Sequence, residues 1–151
     1  MIFLRNTTLA LLLTAPTFGL AAVCPTAEQV LNSAHVTQWG PDGYYYIEFN
    51  PINEWKNFGA EGGFVSPPTV GNAKFYFARY VPQGYEKGKI DYCSYKLSYS
   101  LDGVMQKPGD VEFFSDKWVK NPGKGHWPTT NNLIKSCYGQ NEVRNCSFDF
   151  I

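Results

Sequence analysis

Few side chains in this sequence are of the types that carry chemistry unaided. His35 and His126 are its only imidazoles. A Ser-His-Asp or Cys-His group needs a nucleophile beside a base that a third residue holds in place. Neither histidine sits in a nucleophile or metalloprotease motif, and His126, within Gly125-His126-Trp127-Pro128, reads as a loop residue beside a ring. Paired carboxylates offer another route, as in glycoside hydrolysis, where one acid protonates the leaving group and the other serves as base or nucleophile. Glu48, Glu54, Glu61, Asp91 and Glu112 are the acids available for such a pair, and spacing alone brings no two of them together. Gly59 to Gly63 does not follow a strand and open a helix, so it reads as a turn and not as a phosphate cradle. The sequence is therefore read as that of a non-enzymatic protein. A small secreted hydrolase using paired carboxylates is the alternative.

The cysteines carry a different chemistry. Cys24, Cys93, Cys137 and Cys146 make an even number, which in a small exported domain reads as a disulfide framework. Four cysteines allow three pairings. Cys24–Cys93 with Cys137–Cys146 is the expected one, because the short separation of the last two suits a local staple. Loop-closure entropy makes a seventy-residue loop worth about 4.4 kcal/mol and a ten-residue loop about 2.7 kcal/mol. A zinc site is not expected: there is no Cys-x-x-Cys pair and neither histidine has ligand spacing to a cysteine. No metal and no cofactor are assigned.

Aromatic residues make up 17% of the chain, with eleven Phe, ten Tyr and four Trp. Most of these rings are expected to fill the core of a chain poor in other large apolar residues. An exposed ring offers a flat apolar face with a polar rim, suited to a sugar or a protein partner. Trp39, Tyr44, Tyr46, Trp55 and Trp127, in or beside turns and strand ends, are the candidate contact residues. Successive side chains of a strand point to opposite faces, so Tyr44 and Tyr46 share one face and Tyr45 takes the other.

The elements that must position these residues are mostly strands. The one good helical segment starts at Pro25-Thr26, where Thr26 with Gln29 forms a capping box, and gives way to a strand near His35-Val36-Thr37. Trp39 to Gly43 reads as a turn. Strand character follows at residues 44–49, 73–81, 90–102, 110–115 and 146–151. The run 90–102 is the clearest: Cys93, Tyr95, Leu97, Tyr99 and Leu101 alternate with polar residues, as in a half-buried antiparallel strand. Asp102-Gly103 is a hairpin signal. Gly59 to Pro68 and Asn121 to Pro128 read as turn-rich connections. The expected fold is mainly β: a single antiparallel β-sandwich or small barrel with a short N-terminal helix, stapled by disulfides.

Residues 1–21 read as a secretory signal peptide, with Arg5 as the positive start, Leu9 to Leu13 as the apolar stretch and Gly19-Leu20-Ala21 as the cleavage site. This leaves residues 22–151 as a single exported domain, secreted or periplasmic. The leader's apolar stretch is shorter than the about 20 residues a spanning helix needs. The step Leu20-Ala21-Ala22-Val23-Cys24 is similar to a lipoprotein site, but Val23 stands where a small residue belongs. Thirteen basic residues balance thirteen acids, and charged residues are only 17% of the 151. That balance argues against a nucleic-acid partner held by phosphate contacts. A protein or carbohydrate partner is the remaining expectation.

The Cys24-Pro25 start, the Tyr92-Cys93-Ser94-Tyr95 strand and the closing Cys137 and Cys146-Ser147-Phe148 together resemble a family of small exported bacterial proteins of unknown function. The resemblance spans nearly all of residues 22–151 and rests mostly on cysteine spacing. It implies an exported disulfide-bonded domain and lends no catalytic residue. The stretch Ile90-Asp91-Tyr92-Cys93 to Asp102-Gly103 is also similar in style to the periplasmic lysozyme inhibitors, which are disulfide-bearing β-barrels. Their Ser-Gly-x-x-Tyr inhibitory loop has no counterpart in this chain.

Overall fold

The computed structural model describes residues 21–41, 43–123, 126–130 and 133–151. The expected leader, apart from Ala21, lies outside the described residues. In chain order the elements are α1 (Ala27–Ser33), β1 (Ala34–Trp39), β2 (Tyr44–Phe49), β3 (Trp55–Asn57), β4 (Glu61–Phe64), β5 (Thr69–Pro82), β6 (Lys87–Leu101), β7 (Val104–Met105), β8 (Gly109–Ser115), β9 (Val119–Lys120) and β10 (Lys135–Cys137). Two short 3-10 turns, Gly139–Asn141 and Val143–Cys146, follow β10.

The helix begins where the sequence places its cap. The backbone N–H of Gln29 donates to Thr26 Oγ1 at 3.1 Å, and that of Thr26 donates to Gln29 Oε1 at 2.8 Å. Two backbone donors that the first turn leaves free are thereby satisfied. Val30 and Ser33 form its buried face, and the Ser33 hydroxyl donates back to the Val30 carbonyl. Ala34 is extended, so the chain passes straight into β1.

The strands form two antiparallel sheets. A small sheet has the order β1-β2-β4, and a large one runs β10-β5-β6-β8-β3, with β7 and β9 also paired to β6. The large sheet is built on the long hairpin of β5 and β6, fourteen and fifteen residues. Its end strands β10 and β3 do not pair with each other, so the architecture is sandwich-like and not a closed barrel. The alternation expected along β6 is present: Cys93, Tyr95, Leu97 and Tyr99 are buried, and Val111, Phe113 and Ser115 of β8 lie on the same side. Phe113 packs edge-on to Tyr95 of the large sheet and to Phe49 of the small one, each with ring centroids 6.0 Å apart. Phe64 of β4 meets Tyr99 of β6 in the same interface. Each fully buried large apolar side chain contributes roughly 1.5–3 kcal/mol. The Tyr95 hydroxyl donates to the Pro25 carbonyl, which anchors the start of the helix to the middle of β6.

Both expected disulfides are formed. Cys24 bonds Cys93, with Cα atoms 5.9 Å apart, and Cys137 bonds Cys146, at 5.6 Å. The Asp102-Gly103 hairpin is also present, with both residues at positive φ, as a two-residue turn matched to strand twist requires.

Two expected elements differ. Residues 146–151 are not a ladder strand. Cys146 closes a 3-10 turn, and the tail makes only isolated bridges, Phe148 to Ala22 and Phe150 to Val119. The extended alternation is real, because Phe148 is buried, but a single bridged residue on either side is too few to make a sheet. The stretch from Gly59 to Pro68 is not all turn, since β4 forms within it. Its pairing partner β2 supplies order that the Glu61-Gly62-Gly63-Phe64 sequence does not advertise.

Candidate functional site

The small sheet sorts its side chains by the register of β1 and β2. Trp39 pairs with Tyr44, Thr37 with Tyr46 and His35 with Glu48. Alternation puts these six residues on one face. The other face carries Ile47 and Phe49, both buried against the large sheet. Tyr44 and Tyr46 therefore point away from the core.

On that outer face, Trp39 stacks on Tyr46 with ring centroids 4.6 Å apart and 26° between planes. Trp39 is half exposed, at 50%. Its indole N–H donates to Thr37 Oγ1 at 2.9 Å, which fixes the ring by its edge and leaves its faces for other contacts. Tyr46 in turn rests on β4: a side-chain carbon built on its partner Gly62 would fall 1.9 Å from Cδ1 of the tyrosine. The absence of a side chain at Gly62 is thus what lets the tyrosine lie across the neighbouring strand and floor the tryptophan. Glycines opposite aromatic residues recur in sheets for this reason.

A cleft of about 360 Å³ opens beside the platform. His35, Trp39, Glu48, Asn50 and Asn57 line it, with Gly59 and Ala60 forming one wall. His35 Nε2 lies 3.6 Å from Glu48 Oε2. A second cleft, about 310 Å³, adjoins the first across Phe49, Asn57, Gly59 and Ala60. Three carboxylates line it: Glu61, Asp110 and Glu112. Burial, and then the charge of Asp110, pushes the Glu61 carboxyl above its ordinary value. Burial also raises Glu112, with Arg79 opposing and Asp110 and Asp91 reinforcing. Asp110 is held by an ion pair with Lys96. Gly109 makes room for this arrangement, since a side-chain carbon there would come within 3.1 Å of the Glu61 carboxyl carbon.

Wall and floor are joined by β3 and the segment after it. The Asn57 amide donates to the Glu112 carbonyl at 3.0 Å, and the Gly59 N–H donates to Asn57 Oδ1 at 2.9 Å. One asparagine thereby fixes the loop dividing the two clefts.

The five ring residues expected to make contacts do not stay together. Trp39, Tyr44 and Tyr46 share the outer face of the small sheet. Trp55 and Trp127 are core residues, 3% and 5% exposed, and cannot meet a ligand from there. Trp55 packs against Phe148 and Phe150, and Trp127 against Phe148 while its N–H donates to the Ser147 carbonyl at 3.0 Å. Their neighbouring turn residues suggested exposure; the C-terminal tail covers both. His35, Glu48, Asn50 and Asn57 were not among the expected contacts. His35 and Glu48 carry a signal in retrospect, as they lie at even spacing from Trp39 and Tyr46 on their strands. Asn50 lies just past the end of β2 and Asn57 closes the three-residue β3, and neither carries one.

Among the described residues, no group of three or more His, Cys, Asp or Glu is placed to hold a metal ion, and no helix is long and apolar enough to cross a membrane. Comparison with protein-family models, with curated proteins and with solved structures yields no match.

Proposed function

We propose that this chain is an exported, disulfide-stapled carbohydrate-binding protein of the bacterial envelope or host interface, without catalytic activity of its own. The observation that carries this reading is the half-exposed Trp39, backed by Tyr46, at the rim of a cleft lined by His35, Glu48, Asn50 and Asn57. An indole face matches the C–H face of a sugar ring. Amides and carboxylates supply paired acceptors and donors for neighbouring hydroxyls. The platform is narrow and its polar neighbours are mostly planar side chains, which suits a saccharide better than the broad surface a protein partner takes. The two disulfides support an oxidising destination, secreted or periplasmic.

A glycan array probed with the protein, followed by calorimetry on the best oligosaccharide, tests this. Trp39→Ala is expected to weaken binding at least about tenfold, or about 1.4 kcal/mol, while costing the fold only about 1 kcal/mol for the lost stack on Tyr46. Silence across the array, or full affinity in Trp39→Ala, would sink the reading.

A second reading has its own support. Glu61 and Glu112 line one cavity, both with raised pKa values, a pattern found at catalytic carboxylates. It makes the chain a hydrolase, with these two acids on a substrate that Trp39 holds. Turnover of oligosaccharides or peptidoglycan fragments, abolished by Glu61→Gln or Glu112→Gln, would replace the binding reading with this one.

A further inference from the structure

Far along the chain from Trp39, a second exposed tryptophan has surroundings of the opposite charge. Three segments converge there: the tip of the β5–β6 hairpin, the stretch around β9 and the C-terminal tail. The Asn121 N–H donates to the Glu86 carbonyl and its side-chain amide to that of Tyr85, while the Ile151 N–H donates to the Trp118 carbonyl. Lys87 and Lys89 are two residues apart on β6 and both reach over the Trp118 ring, at 4.6 and 5.1 Å from its centroid. Lys120 pairs across from Lys87, and Lys117 lies over Phe150.

Two properties of this region stand out. None of these four lysines has an acid within ion-pair distance among the described residues, whereas the neighbouring Lys56 is held by Asp116 at 2.5 Å. Glu86, Asp149 and Asp116 are the acids of the same region; none lies within ion-pair distance of these four lysines, although Asp116, paired with Lys56, also feels the charge of Lys89. In addition, large apolar side chains stand out in solvent between the ammonium groups. Tyr85 at the hairpin tip is 93% exposed, Ile151 is 74% exposed, and Trp118 is partly exposed. Ile151 and Lys120 border a shallow concavity with Glu86 and Asn121.

We propose that this end of the molecule docks on an anionic lipid surface. Exposed apolar tips are costly in water and gain by entering the headgroup layer, where tyrosine and tryptophan rings are favoured. Lysine stems lie along such a layer while their ammonium groups meet the phosphates. The cations are all lysines, with no guanidinium fork among them. A compact point charge suits a fluid array of headgroups, whereas arginine is the residue for a fixed, bidentate phosphate. Docking there leaves the Trp39 face, on the other sheet, for its own ligand.

Cosedimentation of the protein, produced from its full reading frame, with sonicated vesicles tests the proposal. Vesicles of phosphatidylcholine with about 30% phosphatidylglycerol (a composition chosen for an anionic surface potential) should bind it at low salt. Pure phosphatidylcholine should not, and half-molar salt should release it, since screening shortens the reach of exposed charges. The double variant Lys87→Gln with Lys89→Gln should lose about twenty-five-fold in partitioning, at roughly fivefold per lysine. Tyr85→Ser, at a residue almost wholly in solvent, removes an apolar tip without touching the core and should also weaken binding. Bromolipid quenching of fluorescence should fall in Trp118→Phe and persist in Trp39→Phe. Equal binding to neutral vesicles, no binding to anionic ones, or quenching that survives in Trp118→Phe would overturn the proposal. So would retention on a soluble polyanion such as heparin without vesicle binding.

Discussion

The two sheets use their aromatic residues differently. The large sheet buries a row of them: Phe75, Tyr95, Phe113 and Trp55 are buried and meet edge to face, while Tyr76 and Phe114 lie on its outer side. In the small sheet, rings are also exterior: Trp39 stacks on Tyr46 with Tyr44 beside them, backed by a glycine strand. Covalent support differs as well. Each disulfide has an end in the large sheet, Cys93 in β6 and Cys137 in β10, and neither has one in the small sheet. Edge-to-face packing between buried rings fixes the body of the molecule. A face-stacked pair on an outer surface spends little on stability and leaves a ring face for contact. Aromatic content alone does not mark a binding surface; the face of the strand on which the ring falls does.

The largest test of this contrast is to unfasten the large sheet. Replacing Cys24 and Cys93 together by serine is expected to cost about 4.4 kcal/mol, against about 2.7 kcal/mol for Cys137 with Cys146, by loop-closure entropy. Urea midpoints measure both, and equal losses would show that local packing, not loop length, sets their worth. The next test falls on the small sheet. Gly62→Val forces the Tyr46 ring off β4 and is expected to cost about 1–3 kcal/mol, as overpacking does. Its effect on glycan affinity should match that of Trp39→Ala, which itself costs the fold only about 1 kcal/mol. Should Gly62→Val bind like the parent, the tyrosine floor is irrelevant to recognition.

The smallest effect lies between the sheets. Burial holds the Glu61 carboxyl above its ordinary 4.5, so the folded state prefers the protonated form. Below the unfolded value both states carry the proton and the acid has no cost. As pH rises through the raised folded value, the charge becomes a liability of the native state. Glu61→Gln should therefore raise the urea midpoint modestly at pH 7 and lose that advantage near pH 4. An advantage independent of pH would assign the effect to packing.

The fold was largely legible in residue order. The capping box of Thr26 and Gln29, the period-two run along β6, the Asp102-Gly103 hairpin and the Cys137–Cys146 staple are local patterns or short spacings, and Cys24–Cys93, 69 residues apart, is the pair that then remains. β4 was hidden because Gly62 and Gly63 have no strand propensity of their own, and only pairing with β2 orders them. The tail 146–151 misled in the reverse direction, as its alternation is genuine but it lacks a full partner strand. Of the candidate site, Tyr44 and Tyr46 were assigned to a common face by alternation alone. The burial of Trp55 and Trp127 is not legible in their turn-rich surroundings, because Phe148, which packs on both, and Phe150, which packs on Trp55, lie far from them in sequence. The pairing of Glu61 with Asp110 and Glu112 in one cavity is likewise a product of tertiary packing.

The bond between Cys24 and Cys93 closes a loop of chain that contains every residue of the small sheet, from Ala34 to Phe64. A single proteolytic nick in the exposed turn at Gly40, or at the exposed Val65 just after β4, therefore cannot release a fragment. The cut halves stay tethered by sulfur and separate only on a reducing gel, so the platform can be clipped in a protease-rich medium without being shed.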